Sequence, residues 1–308
     1  MSRPVRVVVT GASGQVGVDL VDTLRGRTVR GARTSWHPDG LAVHSDEFEV
    51  LGLSHHELDI TDREAVQRAI ERTRPDVIVH LAAYTAVDRA EGDPDTCYAV
   101  NATGTGLLSR AAKETGAHLI TVSTDYVFDG SKGSAYVEED ATNPQSVYGA
   151  SKLAGELLCR EEDTIVRTSW VMGVRGKNVM NVIVDRAQSG EQVRFVNDQT
   201  GSVTVAADLA RALVTLVRTR PGGRWHVANT GTTTWFEIAR YAGELLGRDG
   251  DFATPIATSE LVPAPAAQRP VRSDLSTAKW QLHWEPLPDW RDAVTRLVTD
   301  RAPLVGDA

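Results

Sequence analysis

Residues 5–17 read VRVVVTGASGQVG, and the reading of this stretch decides the fold. VRVVV is a β-branched apolar run of the kind buried on both faces in a parallel sheet. It leads directly into TGASGQVG, where Gly11, Gly14 and Gly17 recur at every third position. Glycine lets the backbone turn tightly and approach a pyrophosphate, whose charge meets the free N–H groups of the helix that follows. A glycine triplet alone is a common structural turn. With a strand before it and a helix after it, this one reads as a dinucleotide-binding turn. Gly11, Gly14, Gln15, Val16 and Gly17 are therefore the first candidate cofactor contacts.

Outward from the turn, short apolar runs alternate with helical patterns. FEVLGL (48–53), DVIVHLAA (76–83), HLITVS (118–123) and TIVRTS (164–169) read as strands. Helices are expected over 15–25, 61–74, 95–114 and 147–162, with Thr61 as N-cap of the second. This β-α-β alternation predicts an α/β fold, a doubly wound parallel sheet of Rossmann type with helices on both faces. The second half is more mixed, with helices expected at 205–218, 234–246 and 290–300, a strand at 224–229, and loop with a short strand over 250–272. The expected organisation is a dinucleotide-binding Rossmann domain over 1–170, to which the chain returns at about 202–228. A smaller mixed α/β C-terminal substrate-binding lobe takes 171–201 and 229–308. Residues 27–46 resist the pattern, since connections in such sheets span only a few residues. That insertion reads as a flap, an oligomer contact or a disordered loop.

The 308 residues carry a net charge of −8, which argues against nucleic acid or an acidic membrane as the main partner. No apolar stretch reaches the roughly 18 residues of a membrane span, and the apolar run at the start is too short for a signal sequence. Cys97 and Cys159 stand in unrelated contexts and read as reduced thiols. The expectation is a soluble, cytoplasmic protein, monomeric or homodimeric.

Dinucleotide choice is read at the end of the second strand, where a carboxylate would bind the adenosine ribose and repel a 2′-phosphate. Here the chain has Ser54-His55-His56, which leaves room for the phosphate of NADP(H). Asp59 in LDITD, followed by Ile60, is placed to meet the adenine edge, or it flanks the next helix as Asp62 does. Tyr148 and Lys152 in VYGASKLAGE (147–156) share one helix face, one turn apart. That spacing alone does not distinguish a proton-transfer pair from two residues on an exposed turn.

HLAAYTAVDRAE (80–91), VNATG (100–104), VSTDYVFDG (122–130), VYGASKLAGE, RTSWV (167–171), DQTGS (198–202) and AQRPVRSDLSTAKW (267–280) follow in order. With these motifs the chain resembles the extended short-chain dehydrogenase/reductase superfamily, and within it the dTDP-4-dehydrorhamnose reductase family. The resemblance implies an oxidoreductase of nucleotide-deoxysugar biosynthesis that uses NADPH, or NADH, to reduce a dTDP-linked 4-keto-6-deoxy sugar. It makes Tyr148 the general acid, with Lys152 lowering the tyrosine pKa and holding the nicotinamide ribose. Thr124 takes the position that donates a hydrogen bond to the substrate carbonyl. Asn101 matches the residue that supports the relay, and Ala83 and Thr85 match cofactor contacts. Val87, Asp125 and Trp170 match substrate contacts. Arg269 and Gln199 either reach the nucleotide or stabilise a loop, and Trp225, Trp235, Trp280, Trp284 and Trp290 read as packing. Some relatives bridge a dimer through a metal on acidic residues; no such set is read here, and no metal is expected. Ser202-Val203-Thr204 departs from the family's Ser-Pro-Thr. Rhamnose synthesis is the leading reading. A sibling reductase of antibiotic deoxysugars, such as dTDP-dihydrostreptose synthase, is the alternative. A non-catalytic role like that of the methionine adenosyltransferase β subunit is disfavoured by the intact Thr124, Tyr148 and Lys152.

Overall fold

A computed structural model describes the protein over residues 3–33, 37–248 and 250–301. The apolar runs form strands β1 (Val5–Thr10), β2 (Phe48–Leu53), β3 (Val77–His80), β4 (His118–Thr124) and β5 (Thr164–Thr168). Short strands follow at Val171–Met172 (β6), Val193–Val196 (β7), Thr200–Gly201 (β8), Thr204–Val205 (β9), Gly223–His226 (β10), Thr233–Thr234 (β11) and Ala253–Ile256 (β12). Six of them make one sheet in the order β10-β5-β4-β3-β1-β2, every pair parallel. The order reverses between β1 and β3, and in open sheets of this kind ligands bind beyond the strand carboxyl ends at such a switch point.

The helices are α1 (Gln15–Leu24), α2 (Arg63–Thr73), α3 (Val87–Ala90), α4 (Pro94–Tyr98), α5 (Thr105–Thr115) and α6 (Val147–Leu157), then α7 (Val179–Ser189), α8 (Ala206–Thr219), α9 (Trp235–Leu245), α10 (Ala278–Gln281) and α11 (Trp290–Arg301). Both faces of the sheet are covered. Leu20 and Leu24 of α1 join Leu209, Leu213 and Leu216 of α8 against Val7, Val9 and Val79. On the other face, Ile70 of α2 and Leu108 and Ala112 of α5 pack on Val8, Ile78 and Leu119. Continuous apolar runs are what strands buried on both faces require. A second core gathers Ile183, Ile238, Phe252, Trp290 and Leu297 from α7, α9, α11 and the β7–β12 ladder.

Two expectations are corrected. The cap of α2 is Asp62, whose carboxylate accepts from the Ala65 N–H at 3.0 Å, while the Thr61 hydroxyl donates to Asp59. The long helix expected over 95–114 is interrupted by a π-helical turn at Ala99–Gly104. Such turns concentrate at functional sites, and this one carries Asn101. The insertion, of which Thr34–Trp36 lie outside the described residues, is laid onto α8 and α11 through its carbonyls. Arg218 donates to the Leu41 and Ala42 carbonyls and pairs with Asp39 and Glu47. Arg211 reaches the Arg33 carbonyl and Arg296 that of Gly31.

Candidate active site

The glycine turn lies at the carboxyl end of β1. Gly11 has φ +68°, and a Cβ there would come within 2.5 Å of the Ala82 nitrogen; one on Gly17 would meet the Gly11 carbonyl at 2.2 Å. Side chains at these positions would fill the cradle, so the turn fits a dinucleotide pyrophosphate held against the N-terminus of α1. Gln15 opens α1 and accepts from Asn178 Nδ2 at 2.9 Å; Val16 packs against the first core.

At the end of β2, Ser54 donates through its N–H and its hydroxyl to Glu57, at 2.8 and 2.7 Å. These bonds hold the Glu57 carboxyl below its ordinary pKa. The corner read as free of acid therefore carries one, three residues on. The S-x-x-E spacing was the signal for it. Asp59 turns its carboxylate onto the Thr61 N–H and hydroxyl at 2.9 and 2.7 Å. Ile60 is buried in the core, packed near Gly104.

Asn101 does not reach toward Lys152. Its amide oxygen accepts from the Tyr84 N–H at 2.8 Å, and its Nδ2 donates to the Tyr84 carbonyl and to Ser151 Oγ. It thereby fixes the loop after β3 that carries Ala83 and Thr85, just before Val87 at the start of α3, against α6. Below, His80 joins Thr10 at 2.8 Å to Thr105 at 3.2 Å. Burial drives its pKa down to about 3, and the Lys152 charge adds to that. The end of β1 and the lysine of α6 are thus neighbours through one neutral imidazole.

Ser146 caps α6 by accepting from the Gly149 N–H. Tyr148 and Lys152 stand on one face of this helix. Burial pushes the Tyr148 phenol up to about 12, with hydrogen bonding to Thr124 pulling the other way. The expected lowering by Lys152 is not seen here: burial sets the direction, and the phenol stays protonated at neutral pH. Tyr126 lies edge-on to the Tyr148 ring at 5.6 Å. Burial lowers Lys152 to about 8, opposed by the carboxylate of Glu156. Glu156, one further turn along, is buried and accepts from Ser123 at 2.5 Å and from Arg167 at 3.0 and 2.7 Å. Sequence reading missed this pair, although 148, 152 and 156 form a stripe at four-residue spacing.

Thr124 ends β4 and donates to Asp125 Oδ1 at 3.1 Å. Asp125, expected at the substrate, is buried, and its other oxygen accepts from Ser273 at 2.5 Å. Desolvation raises this carboxyl to about 7. Arg269, expected near the nucleotide, grips Asp88 with two bonds of 2.7 and 2.6 Å. Gln199 donates to Thr258, which ties a loop. Trp170, directly before β6, takes a left-handed backbone with φ +43° and stacks on Trp235.

A family model described as the RmlD substrate binding domain matches residues 5–302. The chain is 41% identical over 303 residues to a dTDP-4-dehydrorhamnose reductase of Streptomyces griseus, covering 95% of this chain and 92% of that one. It is 34% identical to a dTDP-4-keto-6-deoxy-D-glucose reductase of Streptomyces niveus, covering 94% and 96%. A crystal structure of dTDP-4-dehydrorhamnose reductase from Bacillus anthracis in complex with NADP superimposes with a TM-score of 0.86 at 33% identity, covering 97% and 100%.

Proposed function

The chain belongs to the RmlD substrate-binding-domain family, and on that premise we propose that it is an NADPH-dependent reductase. Its substrate is a dTDP-linked 4-keto-6-deoxy-L-sugar, dTDP-4-dehydro-L-rhamnose, and its product dTDP-L-rhamnose. The observation that carries this reading is the meeting of Thr124, Tyr148 and Lys152 beside the glycine turn, linked to it through His80.

The turn at Gly11, Gly14 and Gly17 would hold NADPH, which would supply the hydride that reduces C4 of the sugar. The chain's own residues manage the oxygen. Thr124 orients the carbonyl by a hydrogen bond. Tyr148 gives its phenolic proton to O4 as that oxygen becomes an alkoxide, and burial keeps the phenol loaded at neutral pH. The tyrosinate left behind is stabilised by the Lys152 ammonium, which Glu156 holds in its charged form. Asn101 and Ser151 keep the loop after β3 against the helix that bears both groups.

Incubating the protein with NADPH and dTDP-4-dehydro-L-rhamnose tests the reading. NADPH consumption matched by dTDP-L-rhamnose, identified by NMR, is expected. Nucleotide binding without consumption would overturn it. An epimeric or ring-contracted product would point to the sibling reductases; the Streptomyces niveus relative and Val203, buried where the family often has proline, favour keeping that outcome in view.

A further inference from the structure

A threonine hydroxyl has one proton and two lone pairs, and three partners surround that of Thr124. The Tyr126 N–H donates to it at 3.2 Å and occupies one lone pair. The other two partners are Asp125 Oδ1, at 3.1 Å, and the phenol of Tyr148. One proton and one lone pair are left for these two, and the charge on Asp125 decides how they are divided.

An ionised carboxylate only accepts. It takes the Thr124 proton and leaves Thr124 a single lone pair to offer. That lone pair draws the Tyr148 O–H away from a substrate. A neutral Asp125 reverses the order. Ser273 donates to Oδ2 at 2.5 Å, so the proton of the acid belongs on Oδ1, where it donates to Thr124. The Thr124 proton is then released. Both it and the phenolic proton are free to meet a carbonyl oxygen, whose two lone pairs accept both.

From this geometry we infer that Asp125 is a positioning residue of the reduction, which in its neutral form turns the Thr124 and Tyr148 hydroxyls toward the substrate carbonyl. The inference rests on the reading of Thr124 and Tyr148 as the groups that manage that oxygen. Asp125 is 1% exposed, and burial raises its carboxyl to about 7 against the pull of Ser273, Thr124 and nearby backbone N–H groups. The acid is therefore divided between its two forms at neutral pH. The groups that face it do not titrate there. Tyr126 and Tyr148 present phenols raised by burial. On the segment that carries Ser273, Arg272 pairs with Asp274 at 2.8 Å. Arg269 and Asp88, which act on Tyr126, pair at 2.6 Å.

Single-turnover reduction is measured from pH 6 to 8 for the parent, Asp125→Asn and Ser273→Ala. Ionisation of Asp125 near pH 7 is expected to slow the parent about tenfold over that interval, and loss of the Lys152 charge near 8 about twofold more. An asparagine amide donates to Thr124 and accepts from Ser273 at every pH, which is the pattern of the neutral acid. Asp125→Asn should match the parent at pH 6 within about threefold and slow only about twofold by pH 8. Ser273→Ala removes a bond to the charged form, so the midpoint should move up by about one pH unit. That variant answers the question if Asp125→Asn does not fold. Infrared difference spectra of the parent, without sugar, follow the carboxyl C=O stretch that Asp125→Asn lacks. Its titration midpoint should coincide with that of the rate. Distinct midpoints, a parent rate profile reproduced by Asp125→Asn, or a midpoint unmoved in Ser273→Ala would overturn the positioning role. A parent that leaves the sugar unreduced at every pH would instead overturn the reading on which the inference stands.

Discussion

At the carboxyl end of β1, residues 10–17 supply the whole phosphate turn: a buried strand, glycines where side chains would collide, and a helix N-terminus. At the carboxyl ends of β4 and β5, the reacting groups are assembled instead from distant segments. Thr124 comes from β4, Tyr148 and Lys152 from α6, Arg167 from β5 and Ser273 from the strap after residue 267. One site is written in a run of backbone and the other in long-range side-chain contacts. The difference predicts where mutation bites: away from the colliding glycines, changes to local devices such as a helix cap cost little, and changes to the assembled floor cost much.

Arg167→Ala tests the large end. It takes the guanidinium from buried Glu156 beneath Lys152, leaving it the Ser123 hydroxyl and Arg224 at 3.8 Å, and breaking a buried pair from one side costs about 3–5 kcal/mol. Chemical denaturation is expected to show that loss; a change under 1 kcal/mol would mean the floor tolerates an unpaired charge and the comparison fails. Asp125→Asn sharpens it through pH. The folded-state pKa of Asp125, about 7, lies above its ordinary value of 3.8, so the protonated form is favoured by folding. Its contribution is complete below the unfolded pKa and is lost as pH rises toward 7, at most about 4 kcal/mol. Asp19, raised to about 7 by burial in α1, acts in the same sense. His80 and His226, lowered to about 3 by burial, act in the opposite sense below pH 6.5, so the signal is the difference between the two proteins: Asp125→Asn should gain stability relative to the parent as pH rises from 4 to 7. A parallel profile for the two proteins would contradict the assignment. Asp62→Ala, which removes a purely local cap, is expected to cost only about 1 kcal/mol, read as a small shift of the denaturation midpoint.

The same contrast accounts for what the sequence showed. Strand runs such as VRVVV and FEVLGL carry their burial in their composition, so the sheet and its helices were legible, though the strand expected over 76–83 ends at His80, the one over 224–229 ends at His226, and the helix expected over 147–162 ends at Leu157. The turn was legible because strand, glycines and helix are contiguous. Thr61 lost the cap of α2 to Asp62 because both neighbours can accept from the first turn, and only geometry selects between them. The π-helical turn at 99–104 leaves no compositional mark. Glu57 sat in view but was passed over, because the S-x-x-E spacing that ties it to Ser54 is a helix-start signal and here it closes a turn before α2 begins. Asp125 was matched to a substrate contact and Arg269 to either the nucleotide or a loop; their partners Ser273 and Asp88 lie far away in the chain and could be found only in the fold. The stack of Trp170 on Trp235 was hidden in the same way.

The central claim is that Tyr148 delivers the proton while the chain's other groups position it, and Tyr148→Phe tests this most directly. The phenyl ring keeps the packing on Tyr126 and removes the hydroxyl that carries the proton and bonds Thr124. With NADPH affinity unchanged, single-turnover reduction of dTDP-4-dehydro-L-rhamnose should slow about 10²- to 10⁴-fold. A Tyr148→Phe protein that reduces the sugar at the parent rate would contradict the account.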